Sequence, residues 1–135
     1  MKITLEDFKR YTEVKEELNK MGYEFLKIIN DITPRGYCPL HTHFNRIAFS
    51  YVCGDDEGNV LLVYFDKYAD DGSEYFIKVN AKEFFENHKE AACNYVNEFV
   101  EAADRKRQQI IEEEQARIKE REIAEYNRIK EKYQL

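Results

Sequence analysis

The densest group of residues able to do chemistry lies between Thr33 and Arg46, which holds both prolines, two of the three histidines and two arginines of an otherwise acidic body. Arg35, His41, His43 and Arg46 are the donors an anion pocket needs, and Tyr37 and Phe44 are rings on which a nucleobase could stack. Connections of this length inside a compact domain often carry function. The same residues equally suit a rigid surface loop whose arginines neutralise nearby acids. A ligand-binding loop for a small anionic nucleotide and a purely structural loop both stay open.

Cys38 and His41 have the gap of a zinc pair, and Cys53 stands one strand away, so a small zinc-binding structural module is a further alternative. Structural zinc uses two short-spaced pairs, however, and Cys53 lacks a close companion. No metal and no cofactor are expected. Asp66 to Gly72 fails as an EF-hand because its sixth position is Asp71 rather than glycine. Nucleophilic catalysis finds little support: Ser50 and Ser73 sit outside any G-x-S-x-G elbow, and His88 and Cys93, five apart on one helix, face different ways. With five glycines, all at turns, there is no phosphate loop. The chain reads as a non-enzyme.

The elements that must position these residues follow from periodicity. Thr4 and Asp7 form a capping box, and Leu5, Phe8, Tyr11, Val14, Leu18 and Met21 recur at helical spacing up to a stop at Gly22. This predicts a first helix with one buried face. Tyr23 to Ile32, apolar on both parities, reads as a strand. Arg46 to Cys53, Val60 to Tyr68 and Glu74 to Val79 read as three more, joined by turns at Gly54 to Asn59 and Asp70 to Ser73. In such a meander Arg35, His41 and His43 lie near Asp66, Asp70 and Asp71. Asn80 and Glu83 then cap a long helix.

From Ala81 to Leu135 the chain has 55 residues without glycine or proline. One continuous helix there would be roughly 80 Å long, more than the core of so small a domain can cover. Its first half carries Phe84, Phe85, Ala92, Val96, Phe99, Val100 and Ala103, enough to lie across a sheet. Its second half carries Ile111, Ile118, Tyr126, Ile129 and Tyr133 on one broad stripe, interrupted by Arg107, Glu114, Glu122 and Glu125, so it is no strict heptad seam. Intrahelical pairs such as Glu113 with Arg117 and Glu125 with Arg128 add only about 0.2–0.5 kcal/mol each. The stripe is solvated, folds back near Arg105, or forms a homo-oligomer interface. Covering it with a second copy is the reading adopted, because an isolated helix of mixed charge is marginal.

Charge and composition exclude several classes. Residues 1–103 carry 19 acids against 12 bases, whereas 104–135 carry 8 against 9. An acidic body lacks the basic face that direct nucleic-acid binding requires, and suits a basic protein partner. No run approaches the ~18 apolar residues of a membrane span, and Met1 to Asp7 lacks the apolar core of a signal peptide. Three cysteines match no disulfide framework. A cytoplasmic protein is expected.

These readings assemble into an α+β fold: an N-terminal helix, an antiparallel meander of about four strands, and a long C-terminal helix packing on the sheet and extending beyond it. Residues 1–103 form the globular body and 104–135 a charged helical extension for assembly. The expected function is stoichiometric binding by a homo-oligomer that blocks or sequesters a target. In type, the chain is similar to phage and mobile-element accessory proteins that inhibit host defence systems, and its acidic surface suits a basic protein effector as target.

Overall fold

The computed structural model describes Met1 to Gln134 of the 135 residues. The fold is α+β, in the order α1 (Leu5–Ile32), β1 (Ile47–Gly54), β2 (Asn59–Asp66), β3 (Glu74–Asn80), α2 (Ala81–Glu86) and α3 (His88–Tyr133). The three strands form one antiparallel sheet, β1-β2-β3, where about four were expected. No helix among the described residues is long and apolar enough to cross a membrane.

The missing strand is the second half of α1. Tyr23 to Ile32 is helical, and Gly22, expected to end the first helix, lies inside it. A Cβ on Gly22 would stand 2.6 Å from the Phe49 ring and 2.9 Å from Leu62. The glycine therefore serves close approach of helix to sheet rather than a turn. Because Tyr23 to Ile32 is apolar on both parities, it satisfies a helical repeat too, and Gly22, Phe25, Leu26 and Ile29 make the buried face. The expected burial of Leu5 to Met21 is also corrected. Leu5, Phe8, Tyr11 and Val14 are exposed, while Leu18 and Met21 are half-buried.

At the start of α1 the capping box forms. The Asp7 N–H donates to Thr4 Oγ1 at 3.1 Å, and the Thr4 N–H donates to the Asp7 carboxylate at 3.0 Å. Asp55 organises the β1–β2 turn in a similar way. Its carboxylate accepts the N–H groups of Glu57 and Asn59 at 2.9 Å each, which holds it below the usual carboxylate range, and Lys78 lies 3.7 Å away. Among the turn's acids Asp55, Asp56 and Glu57, Asp55 thus serves the backbone of the turn itself.

A bulge between Phe49 and Tyr51 lets both Phe49 and Val52 face the same side of the sheet as their partners Tyr64 and Leu62. All three helices pack on that side: Gly22 of α1 meets Phe49 and Leu62, and Phe25 meets Phe84 of α2 and Tyr95 of α3 at ring distances of 5.9 and 6.1 Å. Leu62, Ile77, Val79, Phe84, Ala92 and Val96 complete this core.

The single helix expected from Asn80 onward is two. Asn80 caps α2 through the Glu83 N–H, the chain extends at Asn87, and the Asn87 side chain then accepts the Glu90 N–H at 3.2 Å as α3 begins. At that point His88 Nε2 meets Glu24 Oε2 at 2.7 Å, tying α3 to α1. This hydrogen bond lowers the Glu24 pKa from its ordinary value. Helix α3 is a single helix from His88 to Tyr133, through Asp104 to Gln109. Contacts divide the chain into two compact units, Met1–Phe99 and the residues from Val100 onward.

Candidate functional site

The 33–46 connection does enclose space. A cleft of about 530 Å³ is bounded by the end of α1 at Ile29, Asn30 and Thr33 and by the loop that follows. Arg35, Tyr37, His41 and His43 line it, as the ligand reading requires. His41 is the best positioned of them: its ring stacks on Tyr75 at 3.9 Å, and its backbone N–H donates to the Tyr64 hydroxyl at 3.0 Å. Burial raises the Tyr64 pKa from its ordinary value.

Arg46 is placed elsewhere. Its Nε bonds both oxygens of Asp66 at 3.2 and 3.1 Å, and its guanidinium lies 5.4 Å from the Tyr68 ring centre. Asp66 also accepts the Tyr68 N–H, and these bonds lower its pKa, the Tyr68 contribution being the largest. Among the described residues the loop engages Asp66 of its expected neighbours, through Arg46 and Thr42. Arg35 is consequently the one arginine or lysine among the described lining residues of the cleft. The C-terminal turn of α1, which carries no basic residue, forms one wall, and the carbonyl end of a helix opposes an anion. Cys38, His41, His43 and Cys53 belong to no metal-holding group among the described residues.

Two apolar surfaces were not read from the sequence as sites. One is the sheet face opposite the helices, where Tyr51, Val63 and Phe76 form a cross-strand row beside Phe65 and Leu61. An antiparallel sheet with one solvated face ordinarily alternates apolar and polar residues, yet β2 reads Val60-Leu61-Leu62-Val63-Tyr64-Phe65. That unbroken run was the available signal. Phe76 is 61% exposed, whereas Val63 between the two rings is 6% exposed. The other surface is the first half of α1.

In the unit from Val100 onward, every residue from Asp104 to Gln134 is exposed, including Ile111, Ile118, Tyr126, Ile129 and Tyr133. Ile110 and Ile123 add exposed apolar surface off that stripe. Local support is confined to pairs such as Arg128 with Glu125 at 2.6 Å, Arg117 with Glu114, and Gln109 with Glu113 at 3.3 Å. Arg117 thus pairs one residue nearer than expected. No family model, curated protein or solved structure matches this chain.

Proposed function

We propose that this chain acts by occupying a partner's surface rather than by transforming a substrate, as an assembly of its own copies joined through the helix beyond Val100. One observation carries the reading: Ile111, Ile118, Tyr126, Ile129 and Tyr133 lie on one stripe of that helix and all are exposed. Side-chain pairs worth about 0.2–0.5 kcal/mol each do not hold so long a helix in water, whereas a second copy laid along the stripe does. A symmetric pair needs only one self-complementary surface. The acidic body then favours a basic protein as target, which the assembly would block or sequester. Three free thiols suit a reducing cytoplasm.

The test is the solution mass of the full chain beside the variant Ile118→Glu/Ile129→Glu, by sedimentation equilibrium. A multimer that loses mass in the variant supports the reading. A parent that is monomeric at high micromolar concentration rejects it.

A further inference from the structure

From Leu5 to Glu17 every residue of α1 is exposed, yet its apolar stripe is as regular there as where it packs on the sheet. Phe8 and Tyr11 are each 61% exposed and Val14 is 49% exposed. Beside this stripe, between α1 and β1, runs a groove of about 300 Å³ lined by Tyr11, Val14, Leu18, Asn19, Tyr51 and Cys53. We propose that the first half of α1 is a second self-association surface, occupied by the same helix of another copy running antiparallel, with Phe8 of each copy seated in the groove of the other. This surface is separate from the helix beyond Val100.

The pattern of the helix itself selects this occupant. Turned antiparallel about an axis near residue 13, the stripe matches itself to within one residue: Phe8 meets Leu18 of the other copy, and Tyr11 meets Val14. The same axis brings Arg10 within one residue of Glu17, both on one flank of the stripe at 100° per residue, so each copy contributes one ion pair to the other. A parallel arrangement would instead set Arg10 against the flank that carries Phe8, Lys15 and Asn19, where no acid meets it. Phe8 falls on the opposite flank with Lys15 and Asn19, the flank on which the groove opens. A benzyl group entering there is covered by Tyr51 and Leu18 and covers them in turn.

The area available fits a reversible contact. With aromatic side chains offering about 150–250 Å² each, Phe8, Tyr11 and Tyr51 at their observed exposures supply roughly 300 Å² per copy. Val14, Leu18 and the stems of Arg10 and Lys15 bring this to around 500 Å², short of the ~800 Å² per partner of a standard interface. A concentration-dependent dimer is therefore expected rather than a permanent one.

Sedimentation equilibrium of the full chain carrying Ile118→Glu/Ile129→Glu, run from 1 to about 200 µM, isolates this contact from the first. Mass rising toward a dimer with concentration is expected. Adding Phe8→Glu should abolish the rise, Arg10→Glu should weaken it at least several-fold, and Arg10→Glu with Glu17→Arg should restore it. Phe8 and Arg10 are exposed, so these variants should keep the parent's circular dichroism and melting temperature. A monomer throughout, which would leave the stripe to a different protein, overturns the proposal. So does a dimer indifferent to Phe8→Glu, or a charge reversal that fails to rescue. Failure here leaves the reading of the terminal helix intact, because that reading rests on the stripe from Ile111 to Tyr133 and is tested through Ile118 and Ile129.

Discussion

Replacing Gly22 by alanine sets two physical effects of known size against each other. In an open helix interior the change would stabilise the protein by about 1 kcal/mol, because glycine gives up more backbone freedom on folding. Here the added methyl group would lie 2.6 and 2.9 Å from two atoms of the Phe49 ring and 2.9 Å from Leu62 Cδ2, all inside van der Waals contact. Relieving such overpacking costs about 1–3 kcal/mol, since both neighbours belong to the packed side of the sheet. The expected net effect of Gly22→Ala is a loss of about 1 kcal/mol, read as a lower urea midpoint at unchanged slope and a melting temperature down by about 3 °C. Trimming the ring with Phe49→Leu removes the closest atom, so the double variant should recover about 1 kcal/mol relative to the sum of the singles. An alanine variant more stable than the parent would refute the close-approach account. So would strict additivity with Phe49→Leu.

Phe84 is fully buried between the rings of Phe25 and Phe85, at 5.9 and 5.4 Å, and Phe84→Ala should destabilise by about 3–5 kcal/mol in urea unfolding. Asn80→Ala removes the cap of α2 and should lower stability by about 1 kcal/mol, with Asn87→Ala acting similarly on α3, both measured by thermal melts. Glu24, Asp55 and Asp66 all have lowered pKa values, the main causes being His88, the Asn59 N–H and the Tyr68 N–H respectively. Their stabilising contribution is complete above the unfolded carboxylate pKa near ~4 and disappears as pH falls through the lower folded values, so the acid limb of a stability–pH curve should flatten in Asp66→Asn and Glu24→Gln.

Much of the architecture could be read from the chain because the signals were local. Thr4 with Asp7, Asn80 with Glu83, and the Gly- and Asp-rich turns each solve a backbone hydrogen-bonding problem within a few residues, and each lies where it was expected. Tyr23 to Ile32 failed for the opposite reason. A segment apolar on both parities fits helix and strand alike, and the choice is made by the distant Phe49 and Leu62 against Gly22. The loop residues Arg35, Tyr37, His41 and His43 were legible as neighbours because they are adjacent in sequence, and they do share a cleft. Arg46 was not, because its partner Asp66 becomes its neighbour only once β1 and β2 pair. Exposure of Phe8, Tyr11 and Val14 was hidden for the same kind of reason: an amphipathic stripe states that a face needs covering, and leaves open which molecule covers it.

Val63 is buried although it lies on the side of the sheet away from the helical core, where its cross-strand partners are Tyr51 and Phe76. The burial of Val63 is thus tied to its two aromatic cross-strand neighbours. Positions that a solvent-exposure map would rate as free to vary are mutually dependent there, since trimming either ring would wet a central strand. A saturation screen should find Phe76 far less tolerant of polar replacement than its accessibility suggests, a constraint this protein would carry whatever its partner.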